Sequence, residues 1–308
     1  MIDVHAHFVT DAYVAAARAA GHEQPDGMPG WPSWTLAGQL ELMEECGIER
    51  SVLSISSPGT HFGDDGAARA LSREVNEVGA GFRRDHPDRF GHLASLPLPD
   101  VDGALAEAAY ALDELGSDGV TVETNAHGRY LGDASLAPLW SELSRRETVV
   151  FVHPTSPVGA AALTAGRPRP MLEFVFETAR TFADLVLSGT LARFPGMRWI
   201  ATHGGGALPL VAERLELFRS GFLGGDGEPV PDQLRALWFD TAGTPFPHQV
   251  PLLDRVVGLD HLVYGSDSCW TPPAVVTAQV ASIDAADPPP GGGTWRELTT
   301  ANAGRLFA

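Results

Sequence analysis

Five side chains in this sequence are of the types that bind metal ions or carry protons, and each stands where an apolar run of the chain ends. They are His5 and His7 in IDVHAHF, His153 in FVHP, His203 in THGGG and Asp267 in YGSD. His-x-His suits an extended segment, because residues two apart project to the same side. Two imidazoles on one rigid strand end can share a cation with little further ordering. Neutral imidazole and carboxylate are common ligands of zinc and of manganese. Each residue also has a plainer reading. His153 before Pro154 could be a hydrogen-bonded strand terminus, His203 before three glycines could mark a tight turn, and Asp267 could cap a loop or helix.

What favours chemistry over these alternatives is joint placement. Short apolar, β-branched runs at residues 2–5, 51–56, 90–96, 119–123, 148–153, 198–203, 237–241 and 261–266 read as strands. Helical periodicity occupies 36–46, 67–85, 103–115, 136–145, 171–192, 208–218, 250–257 and 294–307. Strand alternating with helix implies a parallel sheet with crossover helices, and eight such units close a (β/α)₈ barrel. In a barrel the C-terminal strand ends meet on one face, so residues up to 262 positions apart converge there. Glycine after Cys46 and after Leu115 marks helix ends, and Asp100 before an alanine-rich run marks a helix start. No internal repeat or composition break divides the chain, which reads as one domain over 1–308. The irregular stretches 21–34 and 156–170 follow strands 1 and 5 and are expected over the barrel mouth.

The same geometry nominates residues that could touch a ligand. His61 and Phe62 follow strand 2, and Asn125 and His127 follow strand 4. Trp270, three residues after Asp267, could wall an aromatic ligand or simply pack at the barrel rim.

Composition narrows the classes. At 308 residues and 44% hydrophobic content the chain can bury a large core. No apolar run approaches the roughly 20 residues of a membrane span, and no basic, apolar leader opens the sequence. A net charge of −18 argues against nucleic acid and anionic membranes as partners. All 21 basic residues are arginine, so a Walker lysine, a lysine Schiff base and a carboxylated lysine between two metals are excluded. Two distant cysteines, Cys46 and Cys269, make neither a disulfide framework nor a thiolate zinc site, and a cytoplasmic setting fits.

The motif set IDVHAHF, FVHP, THGGG, YGSD and Asn302-Ala303 resembles the amidohydrolase superfamily, in order and over almost the whole chain. It is most similar to the branch of aminocarboxymuconate-semialdehyde decarboxylase and related aromatic-acid decarboxylases. SSPGTHFGDD, ASLPLPD and GRYLGD resemble the 6-methylsalicylate decarboxylase-like members. The resemblance implies that His5, His7, His153 and Asp267 ligate one divalent ion, zinc as a rule and manganese in some members. It also implies that His203 sits beside the reacting group as acid or base, with Asp267 the other catalytic residue. An arginine in the loop after strand 1 grips a substrate carboxylate in the aminocarboxymuconate enzymes. Here residues 8–35 contain only Arg18, with none near Trp31–Trp34.

The activity so implied is non-oxidative decarboxylation of a hydroxybenzoate-type, salicylate-like acid, with Asp267 or His203 delivering a proton to the ring. The rival is metal-dependent hydrolysis of a lactone, amide or activated C–C bond by the same ligand set. A non-catalytic binding barrel is the third reading. A homodimer is a further possibility, since exposed tryptophans such as Trp31 or Trp34 could serve an interface or cover the site.

Overall fold

We describe a computed structural model of the chain, covering residues 1–225 and 227–308. Eight parallel strands follow one another around a single sheet: β1 (Ile2–His7), β2 (Arg50–Ser54), β3 (Phe90–Ser95), β4 (Gly119–Glu123), β5 (Val149–His153), β6 (Arg198–Ala201), β7 (Trp238–Asp240) and β8 (Leu262–Val263). Bridges from Asp3 to Tyr264 and from Ala6 to Ser268 join β8 back to β1. The result is a (β/α)₈ barrel with helices outside. No helix among the described residues is long and apolar enough to cross a membrane.

Two apolar layers hold it together. Val4, Val52, Leu93, Phe151, Ile200 and Val263 form a separate cluster drawn from the strands, which fills the cylinder. A larger cluster lies between strands and helices and includes Phe8, Leu53, Trp140, Phe182 and Phe239. Each such buried side chain stabilises the fold by about 1.5–3 kcal/mol relative to exposure.

One local irregularity matters for the site. Strict alternation would put Val4 and His5 on opposite faces of β1. The pairing with β2 shifts between Asp3 and Ala6, with one extra residue on β1. Val4 therefore joins the interior cluster, and the His5 ring also meets the ring of Phe151 edge-on at 4.8 Å. A bulge of this kind re-aims side chains beside active sites. Buried Asp3 fixes the spot, accepting the backbone N–H of His5 at 3.1 Å and, from beyond β8, the Ser266 N–H at 3.0 Å and hydroxyl at 2.6 Å.

Helix ends follow the expected chemistry at several places. Asp100 caps Val101–Asp113 through the N–H of Gly103, and Gly47, at φ 65°, terminates Leu36–Cys46. Asn302 donates to the carbonyls of Leu259 and Leu262, so its part is to dock the last helix, Trp295–Leu306, against β8. Three expectations are corrected. The helix expected over 171–192 is two pieces, Glu173–Leu187 and Thr190–Arg193, parted at Gly189 with φ 73°. Residues 11–19 and 273–284 form helices beyond those that helical periodicity marks in the sequence. β6 ends at Ala201, and His203 lies beyond it in a tight turn.

Candidate active site

His5 and His7 from β1, His153 from the end of β5 and Asp267 beyond β8 each offer a ligand atom, and the four atoms lie within 4.8 Å of one another. The three rings are buried; the carboxylate of Asp267 is 21% exposed and closes the cluster from the cavity side. Second-layer contacts set the tautomers. His5 Nδ1 is 2.7 Å from Asp240 Oδ2, and His7 Nδ1 is 3.0 Å from the Ser54 hydroxyl and 3.3 Å from the Ser54 carbonyl. Carboxylate and carbonyl can only accept, so each Nδ1 donates and each Nε2 is left as a lone pair.

Those two Nε2 atoms face each other at 2.9 Å, with Asp267 Oδ1 at 3.5 Å from one and 3.4 Å from the other. Facing lone pairs repel unless a proton or a metal ion lies between or beside them. Three inward imidazoles and one carboxylate oxygen are more donors than a proton can use. The set matches a single divalent cation.

Protonation tendencies favour free donor atoms at His7, His153 and Asp267, while His5 is drawn the other way by its carboxylate partner. Burial, reinforced by the charges of His7 and His5, pushes His153 well below the usual imidazole value. Burial likewise lowers His7. For His5 burial opposes charge, but the adjacent Asp240 carboxylate outweighs it and raises the ring. Burial would raise Asp267, yet hydrogen bonding from His203 and His7 and the charge of His5 hold it well below the ordinary carboxylate range.

His203 is set by its backbone. Its N–H donates to Asp240 Oδ1 at 2.7 Å, its carbonyl accepts from Gln249 Nε2 at 2.8 Å, and its φ is 55°. Its Nε2 lies 3.4 Å from Asp267 Oδ2. The glycines that follow are a packing requirement: a Cβ on Gly206, at φ 58°, would fall 2.2 Å from the Val175 carbonyl oxygen.

Above the cluster is a cavity of about 420 Å³ whose lining includes Met28, Phe174, His203, Gln249, Asp267 and Trp270. A neighbouring chamber of about 370 Å³ opens on the β3–β5 side, where it meets Thr121, Glu123, His127 and Arg169.

With this geometry in hand, the sequence profile of the family described as Amidohydrolase matches residues 2–308. The chain belongs to the amidohydrolase family. This amidohydrolase is 36% identical over 301 residues to the decarboxylase yanB of Aspergillus niger, covering 92% of this chain and 81% of that one. It is 38% identical over 278 residues to the 6-methylsalicylic acid decarboxylase acuB of Aspergillus aculeatus, covering 86% and 83%. Its fold superimposes with a TM-score of 0.87 on the 5-carboxyvanillate decarboxylase of Novosphingobium aromaticivorans, solved with manganese and 4-hydroxy-3-methoxy-5-nitrobenzoic acid. That pair is 21% identical and aligned over 99% of this chain and 95% of the other.

The residues nominated from sequence take different places around the amidohydrolase mouth, two cavities and a packed flank. Trp270 walls the cavity over the cluster, its Nε1 donating to Ser56 Oγ at 2.6 Å and its ring 5.7 Å from that of Trp31. His61, Asn125 and His127 line the second chamber instead. Asn125 is engaged at both ends of its amide, donating to Glu177 Oε2 at 3.2 Å and accepting the Gly128 N–H at 2.9 Å. Phe62 lines neither cavity and packs against the rings of Tyr13 and His22. Trp31 and Trp34 are likewise partly buried, Trp31 against Tyr13 and Trp34 against Phe8 and Phe82.

Sequence reasoning missed Asp240, Asp26, Glu123, Gln249 and Arg169. Asp240 and Glu123 carried a signal, since both end strands as His153 does. Glu123 Oε2 approaches His153 Nδ1 to 3.6 Å, and neither atom has a hydrogen bond. Burial, with Asp26 adding repulsion, pushes the Glu123 carboxyl well above its usual range.

Proposed function

We propose that this chain is a metal-dependent, non-oxidative decarboxylase of a hydroxybenzoate-type acid, with 6-methylsalicylic acid and its close relatives as the first substrates to test. The observation that carries the reading is the four-donor cluster at the floor of a cavity with apolar walls. His5, His7, His153 and Asp267 would hold one divalent ion. The donor set suits zinc and manganese alike, and the manganese of the carboxyvanillate enzyme makes that ion the natural comparison with zinc. Such an ion, when bound, supplies positive charge that fixes an anionic substrate and draws electron density from it.

The chain's own residues do the rest. A cavity of about 420 Å³ is of the size that encloses a single substituted ring. Met28, Phe174 and Trp270 offer apolar surface to that ring, and the hydrogen bond from Trp270 to Ser56 holds the indole in one orientation. Decarboxylation then requires a proton at the ring carbon that bears the carboxylate. His203, which lines the cavity with Nε2 3.4 Å from Asp267 Oδ2, is the group placed to deliver this proton. Transfer makes the carbon–hydrogen bond; the bond to the carboxylate carbon breaks, its electron pair restores the aromatic ring, and carbon dioxide leaves. Met28, from the loop after β1, and Phe174, from the helix Glu173–Leu187, narrow the space around the ring.

The test is a screen of protein loaded with zinc or with manganese against hydroxybenzoates and lactones, with products read by mass spectrometry in ¹⁸O-labelled water. Carbon dioxide with the ring-protonated phenol supports the proposal. Label incorporation into a carbonyl product, with no carbon dioxide, replaces it with hydrolysis. Two free cysteines, Cys46 and Cys269, accord with the cytoplasmic setting we infer.

A further inference from the structure

The second chamber is set apart from the cavity over the metal cluster by a small hydrogen-bonded partition. Asp26 Oδ2 accepts the Ser57 hydroxyl at 2.7 Å, and its other oxygen accepts the hydroxyl of Ser156. Ser57 Oγ lies in turn 2.7 Å from Thr155 Oγ1. Loops after β1, β2 and β5 are thus tied across the barrel mouth, and Asp26 borders both spaces.

Arg169 lines the second chamber. Its Nε is buried without a hydrogen-bond partner, and among the described residues none of its guanidinium nitrogens has a hydrogen bond or ion pair. The chain has 39 acidic residues against 21 basic ones, so an unmatched arginine is not for want of carboxylates. Asp26 borders the same chamber with both its oxygens already occupied by hydroxyls. The neighbouring loop is shaped to the guanidinium: a Cβ on Gly27, at φ 74°, would lie 2.6 Å from Arg169 Nη1. His22 and His127 line the same space, as does Thr121, whose hydroxyl is buried and unpartnered. Glu123 sits at the inner edge against His153.

We propose that this second chamber is a binding site for a small oxyanion of the carboxylate class, an organic carboxylate or bicarbonate, held by Arg169 with help from His22 and His127. A planar guanidinium matches the two oxygens of such an anion, and its half-buried head carries a buried Nε that is unfavourable to leave without an acceptor. A cation is repelled by the arginine, and an apolar guest would strand the polar lining. The site lies outside the cavity that holds the proposed decarboxylation, so its occupancy can be read without turnover.

The experiment titrates ¹³C-acetate and ¹³C-bicarbonate separately into the metal-loaded protein and into the same protein stripped of metal, following binding by ¹³C NMR. Carboxylate held by the metal cluster disappears with the metal; carboxylate held by Arg169 remains. The proposal expects saturable binding that survives stripping and weakens about tenfold or more in Arg169→Gln, with metal content and melting temperature unchanged. Whichever anion binds more tightly is the class of occupant. His127→Ala, expected to weaken binding by a smaller factor, stands in if Arg169→Gln does not fold. Absence of saturable binding in the stripped wild type overturns the proposal, as does affinity unchanged by the substitution.

Discussion

The carboxylate of Asp240 holds two parts of the site at once: Oδ2 takes His5 Nδ1 at 2.7 Å and Oδ1 takes the backbone N–H of His203 at 2.7 Å. It therefore fixes the tautomer of a proposed ligand and the position of the proposed proton carrier. Asp240→Asn removes the charge that raises His5 and keeps the volume. Metal affinity, measured by competition with a chromogenic chelator, should fall about 10–100-fold. Wild-type affinity in this variant would show that Asp240 is merely a buried hydrogen-bond acceptor.

His203→Asn should lower turnover about 10²–10⁴-fold while leaving bound metal at the wild-type level. Metal content by plasma mass spectrometry and carbon dioxide release by coupled assay separate the two effects. Retained turnover would move the proton to Asp267; loss of the metal would make His203 a ligand.

Gly206→Ala drives a methyl group against the Val175 carbonyl oxygen and forces a side chain onto a residue at φ 58°. We expect a loss of roughly 1–3 kcal/mol from the backbone term, with further cost from overpacking, seen as a lowered melting temperature. An unchanged melting temperature would mean that the His203 turn has room it does not show.

Much of this arrangement was legible in the chain because the signals were local and repeated. Eight apolar runs between helical stretches dictate the barrel, and a barrel brings His5, His7, His153, His203 and Asp267 to one face. What was not legible depended on geometry that spacing does not encode. Alternation correctly paired His5 with His7 but could not show the bulge that lets Val4 share their side. The helices at residues 11–19 and 273–284 are rich in alanine or carry apolar groups around much of their circumference, so no single stripe announces them. Only Leu262 and Val263 of the run at 261–266 pair with β7, because the strand then turns to meet β1 through isolated bridges. His61, Asn125 and His127 do face the mouth, but Asp26 and its serine partners divide that mouth in two. Arg169 was invisible because an unpaired guanidinium is defined by what is absent around it.

His92 gives the fold a predictable acid limit. It is buried, 2.9 Å from Ser117 Oγ, and burial lowers it to about 4 from the usual 6.5. The folded ring stays neutral where the unfolded ring gains a proton. Its contribution is therefore complete above pH 6.5 and is lost as pH falls toward 4, amounting to about 3 kcal/mol. His92→Gln should be less stable at pH 7 yet show a shallower decline between pH 6.5 and 4 in urea unfolding. Parallel curves for the two proteins would place the acid sensitivity elsewhere.

The proposed centre has three histidines and Asp267 holding one divalent ion. Its most direct measurement is metal stoichiometry by plasma mass spectrometry after loading with manganese or zinc and exhaustive dialysis, for the wild type, His7→Ala and His153→Ala. The account predicts about one ion per chain in the wild type and almost none in either variant, with circular dichroism unchanged. A folded wild type that takes up neither metal, or variants that retain a full equivalent, would contradict it.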